Sequence, residues 1–566
     1  MVFDKAAVRA MARAVGLGAF AWVVFRLCGS EADFAARLYC VSLMLASAVL
    51  VSVATGRVAV GFLVAAALGG AVWLVSTLKL AYLHEPLFAP DVSYLGRTLF
   101  SEVIEHYPAM LRKCIAALVL VPLAAVVLWK LESPGHWHGR RRRVRSLSAF
   151  VALGGLMVLC WPQGPFAGVY SVPAWEFLEQ GRRNPVTTFL RSIGRMHLAM
   201  PPRDGDPSAY DWGGAGDAHA TTTTRPDIVA VLEESTLDPR SWADCTSPRC
   251  RFDLFGADDS TRAHGLLRVH TYGGGTWTSE FAFLSGLPHT LFGPAGLYAP
   301  YNLAPRLRES LPRRLGALGY RTIAVYPMPR SFVRAADAYA EYGFDEFHDA
   351  RELGIEWETT DLELMDKVEA IHRRARAEDD RPLFVMVLTM RQHGPHDKPL
   401  DALPPPWNEA PAPRLDARAN RNIGTYLYRL HQSEQALGKL RDYLFASGRP
   451  VVLAHFGDHH PSFDGLESGL ASALPSSLAD RAGTLTYYRI DSNVDAAAPP
   501  PPGQPLDIAY LGGLVLDVAG LPRGAYFEAN ARLRDRCQGR FQDCAAKDVL
   551  SSYDAYAFGR LGIVAE

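Results

Sequence analysis

Ile228-Val229-Ala230-Val231-Leu232-Glu233-Glu234-Ser235 is an apolar run of strand length that ends in two acids and a hydroxyl. Runs of the same kind recur at Thr322–Tyr326, Leu383–Leu388, Val451–Phe456 and Leu485–Ile490. Helical patterns separate them, at Asn302–Leu318, Asp361–Ala377, Ile423–Ala446 and Ile508–Ala519. Short apolar runs bounded by turns and alternating with helices predict an α/β domain with a largely parallel central sheet, spanning 226–566. The proline-rich stretches Pro399–Pro413 and Pro499–Pro505 read as surface loops.

In such a sheet, functional groups gather at the carboxyl ends of the strands. The first run enters Glu233-Glu234-Ser235. The third enters Arg391-Gln392-His393-Gly394-Pro395-His396, and the fourth Gly457-Asp458-His459-His460-Pro461. Between the first two strands lies Gly273-Gly274-Gly275-Thr276, followed by Trp277-Thr278-Ser279-Glu280-Phe281. Glycine permits backbone conformations and close approaches that a side chain blocks. A helix over Trp277–Leu287 would put Thr276 at its amino terminus, where the dipole favours an anion. By itself the run is better read as a plain glycine-rich loop. Taken jointly, a glutamate, an aspartate, an imidazole and a hydroxyl could hold one divalent cation, which would activate the threonine as a nucleophile. An oxygen-rich set with one imidazole suits Mn²⁺ or Mg²⁺, and Zn²⁺ is compatible.

The first part of the chain has a different composition. The 566 residues carry a net charge of −1, and their near-neutral mean hydropathy averages an apolar first part with an ordinary globular remainder. Five stretches approach the ~20 residues that span a bilayer: Arg13–Cys28, Leu38–Thr55, Val58–Lys79, Cys114–Trp129 and Leu147–Trp161. Residues 1–165 thus read as a five-span membrane region. Lys5, Arg9 and Arg13 precede the first span, and Arg140–Arg143 with Arg145 lie between the fourth and fifth. Both groups are cytoplasmic if the amino terminus is inside, and the chain after Pro162 is then exported. A nucleic-acid patch is not expected at this net charge. Residues 166–225 read as an amphipathic connector (Ala167–Met200, with Trp175, Phe177, Leu178 and Met196) and a linker. Cys245 with Cys250 and Cys537 with Cys544 form close pairs that read as disulfides of an exported domain.

Leu232-Glu233-Glu234-Ser235, Gly274-Gly275-Thr276 with Glu280-Phe281, His393-Gly394-Pro395 and Phe456-Gly457-Asp458-His459 also occur in the order found in one family. The chain resembles the lipoteichoic acid synthase and phosphoglycerol transferase group of the alkaline phosphatase/sulfatase superfamily. Ser331-Phe332, Tyr342-Gly343-Phe344-Asp345, Tyr426–Leu444 and the five-span region are similar too. The resemblance implies Thr276 as the nucleophile carrying a phospho-intermediate, and Glu234, Thr276, Asp458 and His459 as ligands of one metal ion, Mn²⁺ first. It implies His393 at the phosphate or leaving group, with Arg334 and His396 as further substrate contacts. One departure stands out: the family's Trp-x-Arg after Ser/Thr-Phe is Val333-Arg334-Ala335 here.

The activity implied is transfer of a phosphoglycerol head group from a phospholipid to a periplasmic or cell-surface glycan, by an enzyme of the bacterial inner membrane. Phosphatidylglycerol is the first donor and phosphatidylethanolamine, for phosphoethanolamine transfer, the second. A phosphodiesterase would use water in the same site. A sulfatase would need Cys-x-Pro-x-Arg, and the proline of Cys245-Thr246-Ser247-Pro248-Arg249 stands one place late. A non-catalytic membrane glycan sensor is the remaining alternative, and it leaves a competent nucleophile and ligand set unexplained.

Overall fold

The computed structural model describes residues 5–83, 85–94, 108–132, 140–160, 183–193, 197–213, 225–463, 470–479, 481–494 and 504–565. It divides into two compact units, Met1–His197 and Leu198–Glu566.

In the first unit, three helices among the described residues are long and apolar enough to cross a membrane: Ala6–Ser30, Phe34–Thr55 and Val58–Ala81. Glycines let them approach closely. A Cβ added at Gly16 would lie 2.6 Å from the Ala59 carbonyl oxygen, and one at Gly61 2.6 Å from that of Ala48. Small residues at helix contacts are the usual device of packed membrane helices. Helices Pro108–Leu131 and Arg140–Cys160 occupy the expected fourth and fifth spans. The apolar part of the former is Ile115–Leu131, shorter than the first three spans, and the latter begins with the arginine run. Glu132 is fully buried and accepts hydrogen bonds from Arg13 Nε (2.8 Å) and the Ala59 N–H (2.7 Å). Of the connector, helix Pro185–Ser192 is described, whereas Trp175, Phe177, Leu178 and Met196 lie outside the described residues, as do 214–224 of the linker and most of Pro499–Pro505.

The second unit is built on one eight-stranded sheet. Its strands are β1 (Asp227–Glu233), β2 (Thr261–Arg268), β3 (Arg321–Val325), β4 (Glu346–His348), β5 (Leu383–Leu388), β6 (Val451–Gly457), β7 (Leu485–Ser492) and β8 (Leu506–Asp507). They lie in the order β4-β3-β5-β1-β6-β7-β2-β8. The five strands from β4 to β6 are parallel, and β7 runs antiparallel to both of its neighbours. Strand β1 is central and buried along its whole length. Successive side chains of a strand point to opposite faces, so Ile228, Ala230 and Leu232 enter one core while Val229 and Val231 enter the other. Helix Thr276–Ser285 covers the first face through Phe281, Ala282, Phe283 and Leu284, with Phe283 packed on Phe456 at a ring separation of 4.7 Å. Helices Asp361–Glu378 and Ala417–Phe445 cover the second through residues such as Met365, Val368, Tyr426 and Leu440. Layers of helix on both faces are what a parallel sheet requires.

All five expected strands form, and three more join them. Strand β2 carries Arg262, His264 and Arg268 among its apolar positions, and β4 and β8 are three and two residues long. The helix expected over Asn302–Leu318 is shorter, Leu311–Ala317, because Ser310 caps it through the Arg313 N–H and Pro312 starts its first turn. Cys245–Cys250 and Cys537–Cys544 are both bridged.

Candidate functional site

Strand β1 pairs with β6 in parallel register, so that Glu233 stands beside Gly457. The next residue on each strand, Glu234 and Asp458, therefore leaves the sheet at the same edge. Gly457 is required there, since a Cβ on it would fall 1.8 Å from the Thr236 carbonyl oxygen. Ser235 has φ 50°, a turn that directs its N–H to Asp458 Oδ1 at 2.7 Å. The His459 N–H donates to the same oxygen, also at 2.7 Å. Oδ1 is thereby satisfied, whereas the buried Oδ2 has no hydrogen-bond partner among the described residues.

The imidazole of His459 has a fixed tautomer. Its Nδ1 lies 2.9 Å from the His460 carbonyl, which can only accept, so Nδ1 carries the proton and Nε2 presents a lone pair. Around that lone pair stand Asp458 Oδ2 at 3.1 Å, Glu234 Oε1 at 3.4 Å and Thr276 Oγ1 at 3.3 Å. Thr276 directs its own proton elsewhere, donating to Glu234 Oε2 at 2.9 Å. Electron pairs thus converge with too few protons between them, and Glu234, Asp458 and His459 are at most 2% exposed. Burial, followed by the negative charge of Glu234, pushes the Asp458 carboxyl well above its usual range. Burial lowers the imidazole of His459. A cation among these atoms removes both penalties, because each ligand can then hold its unprotonated form. Ligand-bearing atoms of Glu234, Asp458 and His459 all lie within 4.8 Å of one another, so the donor set fits a divalent metal ion.

Thr276 reaches this set from the other side of the chain. It is the first residue of helix Thr276–Ser285, preceded by Gly275 at φ 81°. A Cβ at Gly275 would stand 2.9 Å from Thr271 Oγ1. One turn on, Ser279 Oγ donates to the Asp458 carbonyl at 2.7 Å, which ties the helix of Thr276 to the loop that carries Asp458. Glu280 is also buried; burial first, and Glu234's charge in addition, raise its carboxyl to about 7.

The other expected site residues separate. His393 lies close enough for its charge to act on Glu234 and His459. Its Nδ1 is bonded to the Gly394 carbonyl at 2.8 Å, its ring meets Trp357 edge-on at 4.8 Å, and Arg429 holds its carbonyl at 2.7 Å. His396, expected as a substrate contact, is engaged within its own loop. It is 3% exposed, bonds the Gln392 carbonyl through Nε2 (2.8 Å) and packs edge-on against Tyr426 and Phe463. The chain turns between His393 and His396, and the second ring becomes a buttress of the loop. Arg334 is paired with Asp337 (3.2 Å) and Glu341 (3.8 Å). Among the described residues no hydrogen bond or ion pair joins it to Thr276 or the three acceptors. It and Val333 both have positive φ, 58° and 41°, a costly conformation for a β-branched residue. Sequence reasoning missed Ser279 and Thr389, whose Oγ1 accepts the Glu234 N–H at 3.2 Å. Both positions carried a signal: Ser279 stands one helical turn after Thr276, and Thr389 directly follows β5.

Comparison with known proteins agrees with this architecture. Residues 226–496 match the Sulfatase family. An uncharacterized protein of Haemophilus influenzae is 28% identical over 508 residues, 87% of this chain and 88% of that one. A Rhizobium meliloti protein provisionally named for cyclic β-1,2-glucan modification is 23% identical over 68% of this chain and 61% of its own length. Among solved structures, the lipooligosaccharide phosphoethanolamine transferase A of Neisseria meningitidis aligns over 83% of this chain and 90% of that one, with 13% identity and a TM-score of 0.49. The phosphoglycerol transferase GacH of Streptococcus pyogenes aligns over 60% and 86%, with 17% identity and a TM-score of 0.45. The domain that carries the Thr276 site belongs to the sulfatase/alkaline phosphatase superfamily.

Proposed function

We propose that the protein transfers a phospholipid head group, phosphoglycerol before phosphoethanolamine, to a glycan outside the cytoplasmic membrane by way of phospho-Thr276. The observation that carries this reading is the position of Thr276 Oγ1, 2.9 Å from Glu234 Oε2 and 3.3 Å from His459 Nε2 at the start of a helix. A hydroxyl so placed meets an incoming phosphoryl group beside the positive end of the helix dipole. Glu234, Asp458, His459 and Thr276 would hold the metal ion, Mn²⁺ before Zn²⁺ or Mg²⁺, which supplies Lewis-acid stabilisation of negative charge on the reacting oxygens.

Thr276 Oγ1 attacks the phosphorus, an O–P bond forms, and the bond to the diacylglycerol oxygen breaks. The Thr276 proton is held initially at Glu234 Oε2. His393, on the same edge of the sheet, orients the phosphoryl oxygens or the departing group. The departing diacylglycerol takes up the Thr276 proton; a glycan hydroxyl oxygen then bonds to the phosphorus, the P–Oγ1 bond breaks, and the glycan proton passes to Oγ1, which regenerates the threonine. With water in place of the glycan the same residues would catalyse hydrolysis.

Three membrane-length helices support a reaction on lipid donors, and two bridged cysteine pairs suit an oxidising compartment such as the periplasm. Two further spans, with the amino terminus inside, complete the topology proposed for the inner membrane. The glycan acceptor draws support from the relative named for glucan modification. The test is mass spectrometry of the Thr276 peptide after incubation with mixed phospholipids. A phosphoglycerol adduct is expected. A phosphoethanolamine adduct would change the donor, and no adduct, even with turnover slowed by His393→Ala, would overturn the transferase reading.

A further inference from the structure

At the amino ends of β1 and β6, the edge of the sheet opposite Thr276, lies a cavity of about 330 Å³. Its walls come from two stretches distant in sequence, 372–380 and 443–449. Helix Asp361–Glu378 supplies His372, Arg373 and Arg376. The end of helix Ala417–Phe445 supplies Tyr443, and Arg449 stands just before β6. Buried Asp227, the first residue of β1, accepts the Leu383 N–H through Oδ1 at 2.9 Å.

The donors around Asp227 approach it without closing on it. His372 Nε2 is 3.4 Å from Oδ2, Arg449 Nε 3.5 Å from the same oxygen, and Arg376 Nη1 3.8 Å from Oδ1. His372 Nε2, Arg376 Nε and Arg449 Nε are all buried with no hydrogen-bond partner among the described residues. His372 itself is only 2% exposed. Buried donors without acceptors are costly and rare. Asp227, Asp380 on the wall and Glu369, 3.6 Å from Arg373, offset the charge of the three guanidinium groups, but they leave the Nε atoms of Arg376 and Arg449 without acceptors, and Asp227 Oδ2 is itself buried without a partner among the described residues. Burial lowers the Arg376 guanidinium; Asp227 opposes this and Arg449 adds to it.

We propose that this cavity is a binding site for a small phosphate-class oxyanion, separate from the Thr276 centre. Guanidinium groups present paired N–H donors that match phosphoryl oxygens. An oxyanion seated between Arg376 and Arg449 supplies the acceptors that their Nε atoms lack. Arg373, stacked at 5.4 Å over the Tyr443 ring, closes the mouth. Arg376, in the last turn of its helix, would be explained by the helix dipole alone. The unpartnered nitrogens and the cavity are not.

The experiment is calorimetric titration of inorganic phosphate into the full-length, metal-loaded protein in detergent at constant ionic strength. A binding event is expected that Thr276→Ala leaves intact and that Arg376→Gln or Arg449→Gln weakens at least tenfold. Exposed Arg373→Gln should weaken it severalfold with no loss of thermal stability, which keeps the test valid if either buried variant fails to fold. Phosphate binding unchanged by all three variants, or absent at millimolar concentration, would overturn the site and leave a water-filled cavity. A dependence on these arginines seen with phosphatidylglycerol vesicles but not with free phosphate would overturn the small-ligand assignment in favour of a lipid surface.

Discussion

The two ends of β1 and β6 carry opposite chemistries on the same pair of paired strands. Seven residues of β1 separate Asp227 from Glu233 inclusively, about 20 Å of extended chain. At the carboxyl end, carboxylate oxygens, an imidazole lone pair and a hydroxyl converge with too few protons between them. At the amino end, guanidinium and imidazole donors converge on a single carboxylate. The sheet determines only that side chains meet at its edges. Which ion each edge would attract follows from the residues brought there: Glu234 and Asp458 one position beyond β1 and β6 at one end, and His372, Arg376 and Arg449 from a helix and a loop at the other.

The comparison can be broken most severely at Thr276. Thr276→Ala removes the attacking oxygen and should lower transfer by a factor of about 10⁴ or more, the scale seen when nucleophiles are deleted, while leaving the melting curve nearly unchanged. Retained turnover would remove the nucleophile. Asp458→Asn should lower activity by about 10²-fold and bound metal in parallel, read by elemental analysis. Because protons compete with the metal for these ligands, occupancy should also fall as the pH falls. An undiminished metal content in the variant would separate Asp458 from the cation.

At the other end the effect should fall on stability instead. Asp227→Asn leaves Arg376, Arg449 and His372 facing one another without their counter-charge, and breaking a buried ionic group of this kind costs about 3–5 kcal/mol. Denaturant melts should show that loss, and transfer per folded molecule should stay within about twofold. A large drop in turnover with no drop in stability would mean that the two ends are coupled.

The smallest effect is a pH-dependent one at Glu280. Its folded-state value of about 7, against an ordinary 4.5, means that the native state holds a proton which the unfolded chain releases. Stability is therefore full below about pH 4.5 and falls as pH rises towards 7, by about 2–4 kcal/mol in total. Glu280→Gln should flatten that slope and raise the melting temperature relative to wild type at pH 8 more than at pH 5. Asp361 and Asp554, raised by burial to about 6 and about 7, contribute slopes of the same sign, so the difference between variant and wild type is the quantity to measure.

Much of the carboxyl end was legible in the sequence, and almost none of the amino end. Glu234, Asp458 and His459 directly follow apolar runs, so recognising the strands already put them on one edge. The disulfide partners were close in sequence as well as in space. Strand β2 was missed because two arginines and a histidine interrupt its apolar residues, and β4 and β8 because two or three residues carry no periodicity. His396 was misassigned because three residues of spacing cannot report the direction in which a loop turns its rings. The arginine cavity brings together positions 227, 372–376 and 449, and only the packing of helix Asp361–Glu378 against the strand ends makes them neighbours.

Gly457 gives the metal edge an evolutionary rigidity. With a carbonyl oxygen 1.8 Å from where any Cβ would stand, a saturation library at this codon should return the parent residue alone among active clones. The neighbouring ligands can be exchanged only by changes of side chain, never by a shift of the chain that carries them. Changes of substrate should then be engineered in the loops beyond the strands, such as the one that carries Val333 and Arg334, and not in the frame that holds Asp458.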